Sequence, residues 1–110
     1  MAITIGGCEF DGPFRSIDEL RAEQGICALV SERNGRVDVM EIVDLHNVKT
    51  VWDDDEYTGN IRFWTETCYG TMAVAVMYTD GMSAVERATL KRKLAQEVAT
   101  QQAAKRRRTA

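Results

Sequence analysis

The stretch Gly25–Val43, GICALVSERNGRVDVMEIV, decides how this chain folds. Two apolar-rich runs flank Asn34-Gly35, the strongest short-range signal for a two-residue β-hairpin loop, whose central positions need positive φ. In the first run Ile26, Ala28 and Val30 share one face and Cys27, Leu29 and Ser31 the other, because side chains alternate along a strand. In the second, Val37, Val39, Glu41 and Val43 alternate with Asp38, Met40 and Ile42. Both faces are largely apolar, so the hairpin is expected inside a sheet covered on both sides. Glu41 interrupts the valine face. A carboxylate there requires water, a partner or a metal, because burying it alone is costly.

Before the hairpin, Ala2 to Ile5 reads as a short edge strand and Gly12-Pro13 as punctuation. Ser16 and Glu19 have capping-box spacing for a short helix whose Ile17 and Leu20 face the core together, and Gly25 ends it. After the hairpin, Leu45 to Trp52 is expected as a helix with Leu45, Val48 and Trp52 on one side. It runs into Asp53 to Glu56, a solvated acidic loop that disfavours continuation, since acids sit badly at a helix C-terminus. Residues 61–70 carry no decisive pattern. Thr71 to Thr79, TMAVAVMYT, reads as a buried central strand, and Ser83 with Glu86 forms a second capping box opening a long helix from Ala84 to about Gln102.

A chain of 110 residues with 45% hydrophobic and 28% charged residues has the composition of one globular domain, over residues 1–104. No apolar run approaches the ~20 residues of a membrane span. The opening MAITIGGCEF has neither a basic region nor a long apolar segment, so a cytosolic chain is expected. Cys8, Cys27 and Cys68 form no CxxC pair and His46 is the sole histidine, which argues against a disulfide framework and a zinc site. The cysteines read as small buried apolar groups and His46 as a surface residue. Four of the 14 basic residues stand together at Lys105 to Arg108; without them ten face 17 acidic ones. So acidic a body argues against broad, non-specific duplex binding, and residues 105–110 are expected as a basic, disordered tail.

The segments GPFRSIDEL, GIC, VDVMEI, NVKT and GTMAVAVMYT, in that order, resemble the GIY-YIG nuclease superfamily. The likeness covers roughly Phe10 to Val98 and is closest to small bacterial and phage members in which a GPF…SI lead-in precedes the GIY strand. It implies an α+β domain with a small mixed or antiparallel three-stranded sheet, built as hairpin, helix, strand and long C-terminal helix and flanked by helices. In active members, tyrosines from both hairpin strands, an arginine on the next helix and a glutamate on the last helix carry out metal-dependent phosphodiester hydrolysis. Here Cys27 stands at the first tyrosine, Asp38 or Val39 near the second, and Met40 at the glycine after it. Lys49 is nearest to the arginine, with Arg62 a more distant counterpart, and Lys91 in LKRKLAQEV stands where the metal-binding glutamate is expected. At roughly 100° per residue, Lys91 falls beside Arg87 within the arc of Leu90, Leu94, Val98 and Ala84, Ala88 and Ala95.

An ammonium repels Mg²⁺, so the resemblance implies a domain that has lost its nuclease residues and acts by binding, with no cofactor. Glu41, Arg87, Lys91, Trp52 and Trp64 are the binding candidates, with a protein or a nucleic acid as partner. Lys91 is expected to pair with Glu41 across the old cleft. Trp52, Tyr57, Phe63 and Trp64 interleave with acids, as in an interaction module of phage or mobile-element type; the competing assignment places them in the core. The alternative is a divergent Mg²⁺-dependent endonuclease in which Glu41, Asp38, Asp44 and the 53–56 acids supply oxygen ligands.

Overall fold

The computed structural model describes residues 2–52 and 71–109; of Ala2, Trp52 and residues 104–109 it describes the backbone alone. Five strands form one antiparallel sheet: β1 (Ala2–Ile5), β2 (Cys8–Phe14), β3 (Gly25–Arg33), β4 (Arg36–Leu45) and β5 (Thr71–Tyr78), in the order β1-β2-β5-β3-β4. A single α-helix among the described residues, α1 (Ala84–Thr109), follows β5. The α+β class is as expected. The sheet is wider than the three strands the sequence implies, because Cys8–Phe14 forms a strand that lies between β1 and β5. Gly12-Pro13 does not end that strand. The chain absorbs it as an irregularity between Asp11 and Phe14, with Gly12 at φ 120°, because a bulge tolerates a residue that cannot donate to the ladder.

The hairpin forms as read. Arg33 pairs with Arg36 across Asn34 (φ 51°) and Gly35 (φ 78°), both in the left-handed region. Strand β3 lies between β5 and β4 and is buried on both faces. Toward α1, Ile26, Ala28 and Val30 join Phe10, Ile42, Ala75, Leu94 and Val98 in one core. On the other face Cys27 and Leu29 join Leu20, Val43, Leu45, Val48, Val51, Val74 and Val76 in a second. Gly25 permits this second core to close: a Cβ there would meet Val48 Cγ1 at 2.8 Å and the Met77 carbonyl at 3.0 Å.

In β4 the simple alternation fails. Leu29 pairs with Glu41 but Val30 pairs with Val39, so Met40 is an extra residue, a β-bulge. Val39 therefore packs toward α1 while Glu41 and Val43 face the opposite core. The continuous valine face read from the sequence is split in two, because side-chain period is two and one inserted residue reverses it.

Three helical expectations also change. Both capping boxes form: Ser16 with Glu19, and Ser83 with Glu86, where the Glu86 N–H donates to Ser83 Oγ at 3.1 Å. The first, however, opens only a single 3₁₀ turn, Ile17–Glu19, with Leu20 buried and Ile17 exposed. Leu45 to Trp52 is not one helix. β4 runs through Leu45, and Val48–Trp52 forms a 3₁₀ turn tied back by Val48 N–H donating to the Glu23 carbonyl at 2.9 Å. Helix α1 continues past Gln102 through the basic run to Thr109, since no glycine or proline stops it and cations suit a helix C-terminus. No helix among the described residues is long and apolar enough to cross a membrane.

Candidate functional site

Cys27 sits in the middle of β3, opposite Val43 on one side and Val76 on the other. It has no exposed surface. Burial, reinforced by the negative charge of Asp44, pushes its thiol from 9.0 up to about 12. A thiol so placed is neither a nucleophile nor a base near neutrality, which agrees with its reading as a buried apolar cysteine. Cys8 is half-buried against the α1-side core.

The positions that the sequence resemblance matches to nuclease residues are divided between the faces of the sheet. Cys27 belongs to the core opposite α1, which Val48 and Val51 of the 3₁₀ turn also fill, and half-buried Lys49 lies on that turn. Its backbone N–H is held by Asn47 Oδ1 at 3.1 Å. Lys91 is half-buried on α1, on the other side. Asp38 pairs with Ser31, and Glu41 with Leu29, both on the face away from α1. The expected Lys91–Glu41 pair therefore does not form: the Met40 bulge turns Glu41 away from the helix. Glu41 Oε2 is buried with no hydrogen-bond partner.

Arg87 does make a partnership, with Asp44. Residue types alone do not reveal it, because Asp44 and Arg87 are joined only by β4 lying under the start of α1. Asp44 pairs with Ile26 and so faces the helix; its Oδ2 lies 3.8 Å from Arg87 Nε, an ion pair beyond hydrogen-bond reach. Arg87 Nη1 donates to Gln24 Oε1, Gln24 Nε2 donates to the Thr79 carbonyl at 2.8 Å, and the Thr79 N–H returns to the Gln24 carbonyl at 3.3 Å. Asp44 Oδ1, Arg87 Nε and Thr79 Oγ1 are buried without hydrogen bonds. This cluster locks one end of the sheet to the helix.

Asp44 is thus separated by the sheet from Asp38 and Glu41, and no group of three potential metal donors occurs among the described residues. Trp64, Arg62 and the acids at 53–56 lie outside those residues, as does the side chain of Trp52. His46 is exposed, as expected.

Among the described residues, concave surface is found at the hairpin end. A cavity of about 410 Å³ is lined by Arg15, Glu32, Arg33, Arg36 and Thr71. A second, of about 560 Å³, adjoins it through Arg15 and Glu32 and extends along Asp11, Pro13, Phe14 and Glu19. Comparison of the chain with protein-family models, with curated proteins and with solved structures finds no match in any of the three.

Proposed function

We propose that this chain is a non-catalytic binding domain, with a GIY-YIG-like ancestry, that acts through a macromolecular partner, protein or nucleic acid. One observation carries the reading: the positions that correspond to the nuclease residues are not assembled. Cys27 is buried on one face of the sheet, with Lys49 on the turn packed over that face, while Lys91 is on the helix across the other. Phosphodiester hydrolysis needs a base, a cation for the developing charge and a carboxylate for metal at one point. A divergent Mg²⁺-dependent endonuclease is the second reading, favoured by the buried, unpartnered Glu41 Oε2.

Plasmid nicking in Mg²⁺ or Mn²⁺, beside a Glu41→Gln control, tests the choice. No cleavage above the control is expected. Cleavage abolished by Glu41→Gln would overturn the binding reading in favour of the endonuclease. A mobility shift with nucleic acid that weakens as salt rises would assign the partner to nucleic acid rather than protein.

A further inference from the structure

We infer that Asn34 is a site of spontaneous covalent modification: its carboxamide is lost as ammonia through a cyclic imide with Gly35, which makes the hairpin tip a slow chemical clock. This chemistry needs only solvent and the turn itself, and does not depend on the partner of the domain.

The step closes a five-membered ring. A solvent base takes the proton of the Gly35 N–H, the nitrogen attacks Asn34 Cγ, and the side-chain nitrogen leaves with a proton as ammonia. Water then opens the imide at either carbonyl. One opening gives aspartate; the other gives isoaspartate, with the main chain rerouted through the side chain. In both cases one water is consumed for each ammonia released.

Ring closure needs an uncrowded nitrogen, an unheld side chain and a backbone free to bring them together. Gly35 carries no side chain, and even a Cβ built there would meet nothing within 4 Å. Asn34 and Gly35 are both exposed and occupy the two loop positions outside the ladder, which closes at Arg33 opposite Arg36. The turn holds Asn34 at φ 51°, so the ring closes when the tip frays, and the end of a ladder is where opening costs least. Asn47 meets none of these conditions. Its Oδ1 accepts from the Lys49 N–H at 3.1 Å, and the nitrogen it would need belongs to buried Val48 and donates to the Glu23 carbonyl at 2.9 Å. The third asparagine, Asn60, precedes Ile61 in the sequence, whose branched Cβ crowds the nitrogen.

The two products differ in consequence. Aspartate keeps the left-handed conformation as asparagine does. Isoaspartate adds a methylene to the main chain of a two-residue loop whose length fixes the hairpin register, so Arg33 and Arg36 lose their direct pairing. The damage stays at the tip, because further along β3 the residues from Cys27 to Val30 are buried and held by β5 as well as β4.

The test is peptide mapping by mass spectrometry of the full chain aged at mildly alkaline pH, in buffer and in urea, with ammonia release measured alongside. The peptide that holds Asn34 should gain about one dalton and split into two forms, and the folded chain should react within about tenfold of the rate in urea. Isomerisation at Asp11-Gly12 or Asp80-Gly81 leaves the mass unchanged and does not imitate this gain. Asn34→Gly, which a two-residue turn accepts, should remove most of the ammonia released by the folded chain. Amide shifts of the aged chain should be confined to residues 32–37. Slowing by more than about tenfold relative to urea, an earlier mass gain at Asn47 or Asn60, or undiminished ammonia from Asn34→Gly would overturn the site. Shifts that spread along β3 into the cores would overturn its confinement to the tip.

Discussion

Asp44 meets the protein through three different neighbours: Ile26 by backbone register, Arg87 by charge and Cys27 through its field. Its ion pair with Arg87 is largely shielded, the side chains being 28% and 19% exposed. Removing one member leaves the other in a poorly solvated place, which costs more than the pair itself contributes. Arg87→Met is therefore expected to lower stability by about 1–3 kcal/mol. Adding Asp44→Leu should recover part of that loss, giving a coupling of about 0.5–3 kcal/mol in a urea double-mutant cycle. Strictly additive effects would show that the contact carries no energy. Lys91 and Glu41, by contrast, are the pair that residue types alone suggest, and they face different cores. Opposite charge identifies candidates for pairing; strand register determines which of them meet.

At the scale of elements, the Met40 bulge is the feature on which the rest turns. It allows β4 to give Val39 and Ile42 to the α1-side core and Val43 and Leu45 to the other. Gln102 of α1 reaches it, its Nε2 donating to the Val39 and Met40 carbonyls at 3.0 and 3.2 Å, so the helix clasps the edge strand where its ladder is interrupted. The register predicts an unusual tolerance. Deleting Met40 would leave Val30 opposite Val39 and Leu29 opposite Glu41 in a regular ladder, so the shortened chain should fold with a loss of about 1 kcal/mol. Deleting Ile42 instead would absorb the same extra residue but place Glu41 opposite Ala28, toward the α1-side core, so it should weaken the fold far more by losing a core side chain and burying a carboxylate. Circular dichroism of both deletions checks this, and equal damage would show that the bulge is not the register element. The capping boxes, the hairpin turn and β5 are legible in the sequence because each is decided within a few residues. The bulge is not: nothing in VDVMEIV distinguishes Met40 from its neighbours until α1 is packed against the strand.

For the whole molecule, the two-sided sheet makes Cys27 a reporter of global stability. Its folded thiol titrates near 12 rather than 9.0, so between those values the unfolded chain loses a proton that the folded chain keeps. Stability from this group is complete below about pH 9 and declines as pH rises toward the folded value, by at most about 1.4 kcal/mol per pH unit. Urea unfolding at about pH 8 and about pH 10.5 should therefore show a steeper alkaline loss in the native chain than in Cys27→Ala, which lacks the titrating group. Parallel losses would mean that Cys27 opens to solvent before the fold is lost.

Periodicity and local hydrogen bonding suffice for the class, the hairpin and its Asn34-Gly35 turn, the two covered faces of β3, the buried β5 and both helix starts. Tertiary structure alone decided that Cys8–Phe14 joins the sheet, that Leu45 remains strand, that Glu41 turns from the helix while Asp44 turns toward it, and that Arg15 converges with Arg33 and Arg36. Each of these depends on which distant backbone supplies the next hydrogen bond. A one-residue change in that pairing moves a side chain to the other side of the sheet, and with it any chemistry the residue type suggests.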